Sequence, residues 1–205
     1  MSSGPMVETI DSILTFWFGH GVTAREISDD RQVVWFGKND DVDLEIRTRF
    51  ESVTRAVFDG RLDHWREAPR GMLASIICCD QFPRNMYRGR ADSFAFDTAA
   101  LAMAEEMVAA GTHLELQPIQ RIFAYLPFEH SEDLAMQDKS MELFGALAEQ
   151  ADPEEREMFG VNLDFARRHW EIIERFGRFP HRNAILGRES TDEETEFLTQ
   201  PGSSF

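Results

Sequence analysis

Lysine is nearly missing from this chain. Of its 21 basic residues only Lys38 and Lys139 are lysine, and 37 acidic residues outweigh them all, leaving a net charge of −16 over 205 residues. Such a balance offers no basic face for neutralising phosphates, so nucleic acid and anionic membrane surfaces are excluded as partners. Cysteine is scarcer still in useful positions: Cys78 and Cys79 are adjacent in "LASIICCD". Neighbouring cysteines rarely bridge, and these lack the Cys-x-x-Cys spacing of a metal or redox site. They read as buried free thiols in a helix, suited to a reducing compartment. The longest apolar run, "MLASIICC", is far too short to span a bilayer, and "MSSGPMVETIDSILTFWFG" has no basic flank of a signal peptide, so a cytoplasmic protein is expected. Strand-like alternation is absent, as are Gly-x-Ser-x-Gly, phosphate-loop, dinucleotide and His-Glu-x-x-His patterns. No cofactor or metal is therefore expected, and the oligomeric state is left open.

What the chain does have is helical periodicity throughout. A first helix is expected over about Val7 to Trp17, ending near Gly19, and a short one around "RQVVWF". After Asp43 a longer helix aligns Ile46, Phe50, Val53 and Val57 on one stripe and stops at Gly60. "MLASIICCDQF", opened by Pro69 and Gly71, is apolar almost all round, as a central helix is. "DTAALAMAEEMVAAG" predicts a helix capped by Asp97 or Thr98 and stopped at Gly111. Pro118 opens "IQRIFAYL", and Pro127 is expected to end it. Ser131 reads as the next N-cap, with Leu134, Met141, Phe144 and Ala148 as the inner stripe. Asp152, Pro153 and Glu155 predict a capped helix to about Phe176, and Thr191 with Glu194 predicts a capping box before the last one.

Short connections between successive helices predict antiparallel helical pairs stacked in one all-α body over residues 1–205, with residues 1–6 and 201–205 peripheral and Phe205 as a terminal anchor. No repeat period or linker divides the chain. Trp17, Trp35, Trp65 and Trp170 read as core.

Polar residues gather in three turns. "DQFPRNMYRGR" holds Asp80, Arg84 and Asn85, and "LPFEHSED" holds Glu129, His130, Glu132 and Asp133. The third, "RFGRFPHRNAILGR" from Arg175 to Arg188, carries four arginines, His181 and Asn183 without one acid. Proline fixes such a turn and phenylalanine anchors it, so the polar groups stand on stiff supports. His169 shares a stripe with Phe165, Ile172, Ile173 and Phe176, and Gln137 falls between Leu134 and Met141; both should point inward.

Arginine suits a cation that must meet a carboxylate or phosphate in fixed geometry. Candidate ligand-binding residues are therefore Asp80, Arg84, Asn85, Arg178, His181, Arg182 and Asn183. Glu129, His130 and His169 are candidates for moving a proton. The same residues also admit a purely structural role, with the arginines paired to Asp80, Glu129 or Glu132, and His169 as a hydrogen-bonded core histidine. No pair among Glu129, His130, His169 and His181 has a recognised metal-ligand spacing.

The strings "DQFPRNMYRG", "YLPFEHSED", "HWEIIERFGRFPHRNAILGRESTDEE" and the ending "FL…PGSSF" resemble the mainly bacterial family known as domain of unknown function 924. The resemblance runs from "ILTFWFG" to the C-terminus. It implies an all-α fold similar to tetratricopeptide-like superhelices, and it implies no activity, substrate or catalytic residue. The Cys78–Cys79 pair departs from it, standing where aliphatic residues are expected.

Two functions compete on these grounds. The arginine-rich turns suggest a pocket that binds or acts on a small anionic metabolite. Stacked helical pairs with an acidic surface suggest instead an interaction module that takes a basic peptide or partner helix in a groove. Both the pocket and its dull alternative, an internal ion-pair lock, require residues 80–90, 129–133 and 178–183 to converge.

Overall fold

The computed structural model describes residues 8–204. The expectations for residues 1–6, for Val7 and for Phe205 lie outside them. Every regular element among the described residues is helical.

Small polar residues start the first helices. Thr9 caps α1 (Ile10–Phe18), Thr23 caps α2 (Ala24–Phe36) and Asn39 caps α3 (Asp40–Phe58), each accepting a backbone N–H from the first turn. The stripe of α3 is buried at Ile46, Phe50, Val53 and Val57. The centre of the molecule is α4 (Pro69–Asp80), in which residues 71–80 are all buried. It lies so close to the preceding turn that a Cβ at Gly71 would collide with the Trp65 carbonyl oxygen. A short α5 (Phe82–Met86) follows directly.

Helix α6 (Asp97–Ala109) has no side-chain cap. The Asp97 carboxylate accepts from Arg84 at 3.0 and 3.2 Å instead. Helix α7 (Pro118–Glu129) does not end at Pro127. So close to the C-terminus a proline removes a single intrahelical bond, and the His130 N–H closes the last turn on the Leu126 carbonyl at 2.8 Å. Asp133, not Ser131, caps α8 (Leu134–Gln150), because the Ser131 hydroxyl accepts from the Asp133 N–H and leaves that carboxylate for Ala135 and Met136. On α8, Phe144 is buried and Met141 and Ala148 pack against the core as expected, joined by the buried Gln137, Ser140, Leu143 and Leu147; Leu134 is instead 43% exposed.

Helix α9 (Arg156–Phe176) begins without the expected capping box, since the Glu155 N–H bonds the Asp152 carbonyl in a turn. It stops at Gly177, whose φ of 66° suits a residue without a Cβ. Two short helices, α10 (Asn183–Leu186) and α11 (Asp192–Phe197), complete the chain, the latter with the Thr191–Glu194 capping box in place.

One apolar cluster runs through α1 to α9, and α8 and α9 form the most extensive helical pair. Trp17, Trp35 and Trp65 belong to the core; Trp170 is half-buried and donates its Nε1 to Asp138 at 2.7 Å. A second cluster of Ile172, Ile173 and Phe179 is joined by Phe176 and Phe197. Cys78 and Cys79 are fully buried free thiols, and burial pushes the Cys79 thiol up to about 12. Among the described residues no helix is long and apolar enough to cross a membrane.

Candidate functional site

The three polar turns meet at the ends of α4, α7 and α9. Asp80 closes α4, and Arg84 follows one turn later, 3.5 Å from its carboxylate and donating to its backbone carbonyl. His130, just past α7, places Nδ1 2.8 Å from Asp80 Oδ1. Glu129 is buried in the last turn of α7, with Oε1 3.2 Å from Nδ1 of His169. That nitrogen also lies 2.9 Å from the Phe165 carbonyl, one turn back on α9. Glu132 reaches the arginine-rich turn, accepting from the Phe179 N–H at 2.8 Å and from Arg188 at 2.6 and 2.9 Å.

Between these turns lies a cavity of about 760 Å³. Helical periodicity builds its walls: α7 contributes Ile119, Ile122, Phe123 and Leu126 ahead of Glu129 and His130, and α9 contributes Met158, Val161 and Phe165 ahead of His169. Trp35 and Phe36 of α2 form another side, and Arg84, Asn85, His181 and Arg182 complete the polar end.

Burial dominates the electrostatics. It opposes ionisation of Asp80, but the adjacent Arg84 and His130 outweigh it and hold that carboxyl below its ordinary range. Burial, aided by Arg84, lowers the His130 imidazole despite Asp80. With Nδ1 committed to Asp80, Nε2 is the nitrogen left for a ligand. Burial raises Glu129 to about 8, helped by the Asp80 charge, and lowers His169 to about 3. At neutral pH these two are thus a protonated carboxyl beside a neutral imidazole, close in space but not an ion pair. Burial also takes His181 down to about 4.

Of the three arginines that line the cavity, Arg182 is the least closely paired. It is 7% exposed, with its guanidinium over the Phe94 and Phe179 rings at 4.7 and 4.5 Å. Its one carboxylate neighbour within 4 Å among the described residues is Asp97 at 3.8 Å, which Arg84 already holds in a fork. Its Nε is buried with no hydrogen-bond partner among them. Burial first, and Arg84 second, lower Arg182 to about 10, so it remains a cation at neutral pH.

The structure thus brings Asp80, Arg84, Asn85, Glu129, His130, His169, His181 and Arg182 to one place, although Asn85 already donates to Asp43 at 2.8 Å. Arg178 and Asn183 are turned away from it. Arg178 forks onto Glu194 at 2.6 and 2.7 Å, and Asn183 donates to Ser190 at 3.1 Å and Glu194 at 3.3 Å. Both close the C-terminal segment, not the cavity. Asp97 escaped sequence reasoning because it stands where a helix cap belongs. The apolar walls from α2 and α9 had only their helical stripes as a signal. Among the described residues no group of three or more His, Cys, Asp or Glu side chains is arranged to hold a metal ion.

The sequence model of the family described as "Bacterial protein of unknown function (DUF924)" matches residues 13–202. The structure of a protein of unknown function, ATU0120 from Agrobacterium tumefaciens, is similar over 92% of this chain and 96% of that one, with 35% identity and a TM-score of 0.77. No curated protein matches the chain.

Proposed function

Because this chain belongs to the DUF924 family of bacterial proteins of unknown function, its activity must be argued from its own side chains, and we propose that the cavity binds a small anion on Arg182. The observation that carries this reading is the guanidinium itself: buried and charged, its Nε–H donating to no group among the described residues and its nearest carboxylate among them at 3.8 Å. A cation taken out of water at that cost is compensated when a ligand oxygen arrives. Around it stand two groups suited to proton transfer. His130, oriented by Asp80, offers a basic Nε2. Glu129 offers a carboxyl that keeps its proton near neutral pH. The pair supports a bound anion being protonated, deprotonated or simply held.

The test is calorimetry and thermal melting with acetate, butyrate and inorganic phosphate at constant ionic strength. Wild type is expected to be stabilised by at least one of them, and Arg182→Gln to weaken that binding roughly tenfold or more, the worth of a charged hydrogen bond. No stabilisation by any anion, or an Arg182→Gln variant that responds as wild type does, would sink the reading and return the groove to a protein partner.

A further inference from the structure

The charged and titratable groups of the cavity gather at one end; along the rest, Ser28, Gln32 and Asn162 interrupt an otherwise apolar lining. On α7, Ile119, Ile122, Phe123 and Leu126 form a single stripe that runs into Glu129 and His130, and on α9, Met158, Val161 and Phe165 run into His169. The polar ends of the two stripes coincide, since Glu129 and His169 touch at 3.2 Å. Away from that end, Arg25 of α2 bonds the Glu154 carbonyl just ahead of α9 at 3.0 Å, which keeps a third wall beside the trough. Ile119 to Leu126 is two helical turns, so the apolar stretch is about 10 Å long at 1.5 Å per residue. Its rim leaves large apolar side chains in water: Phe36 is 63% exposed, Val161 52% and Phe165 42%.

We infer that the site takes an amphipathic monocarboxylate, its head on Arg182 and its unbranched apolar tail laid along α7 and α9. The inference rests on the anion reading above and adds the tail. A small hydrophilic anion would leave the trough and its rim wet, and an uncharged apolar molecule would leave Arg182 with Asp97 at 3.8 Å as its nearest carboxylate. A carboxylate fits better than a phosphate monoester, because of the three arginines lining the cavity Arg84 is already matched by Asp80 and Asp97 and Arg88 by Asp43, leaving one for the head.

The experiment is a calorimetric series of butyrate, hexanoate, octanoate and decanoate below their micellar concentrations, with octanol and octyl phosphate alongside. Each added methylene is expected to tighten binding roughly three- to fourfold, the worth of one buried CH₂, until the tail outruns the trough. Val161→Asp alters an exposed helix position, so the fold survives, as circular dichroism will check. It is expected to weaken octanoate and decanoate at least tenfold and to leave butyrate unchanged. If butyrate and decanoate bind alike, the tail assignment falls and the anion reading stands. If octanol matches octanoate, the head assignment falls. Tighter binding of octyl phosphate overturns the carboxylate. If no member binds, acetate and phosphate included, both readings fall.

Discussion

A guanidinium between two phenyl rings is well packed and poorly paired, and Arg182 shows how little of that is visible in a string of residues. Arg178 and Arg182 stand one turn apart in the same motif. One is neutralised by Glu194 and the other is left facing a cavity. Nothing local distinguishes them, because the choice is made by a carboxylate that arrives from α11. Glu129 makes the most direct prediction at this scale. Its folded pKa near 8 lies above its ordinary 4.5. Between those values the native state keeps a proton that the unfolded chain has lost, so the stability it contributes is fully present below 4.5 and lost as pH rises through 8. Glu129→Gln keeps an acceptor oxygen and cannot ionise. It is expected to exceed wild type by about 1–3 kcal/mol at pH 8–9 and to run close to it near pH 5, as read by urea denaturation. Equal curves at both pH values would mean that the carboxyl is not held neutral.

At the scale of elements, hydrophobic stripes were the legible part and helix ends the illegible one. The buried faces of α3 and α4 follow from spacing alone. The starts of α8 and α9 do not, because Ser131 and Asp133, or Asp152 and Glu155, compete for the same role and the winner depends on turn geometry. The end of α7 is the instructive case. Past Pro127 the Phe128 carbonyl still accepts the Ser131 N–H at 3.2 Å, and Gln137 of α8 adds a side-chain donor: Nε2 lies 2.7 Å from the carbonyls of Glu129 and Ser131 and 3.3 Å from that of Phe128. Spacing placed Gln137 inward but could not say what it holds, since its partners belong to the preceding helix and the turn that follows it. Gln137→Leu strips buried acceptors of their donor and is expected to cost about 2–4 kcal/mol in a urea titration. Because Glu129 and His130 hang from the same turn, anion binding should weaken with it. A loss below about 1 kcal/mol would show that solvent replaces the amide.

For the molecule as a whole, the meeting of an acidic turn with a basic one was readable as charge pattern; the gap left between them was not. Glu132 ties the two, joining the start of α8 to Phe179 and Arg188. Burial opposes its ionisation, but Arg188 and the Phe179 N–H prevail and hold it below its ordinary range. Glu132→Ala is expected to cost about 1–3 kcal/mol and to loosen the C-terminal segment selectively. Hydrogen exchange would show it as lost protection at the Phe179 amide with α4 unchanged. Uniform loss across α4 would mean that the segment and the core open as one unit.

The thiols of Cys78 and Cys79 sit in the middle of α4, at 0% exposure and with Cys79 far from ionising at neutral pH. A sulfhydryl reagent can reach them only when that central rod leaves its neighbours. The chain therefore carries its own stopwatch: the rate at which both sulfurs are alkylated in dilute denaturant times the opening of the entire body, with no added label.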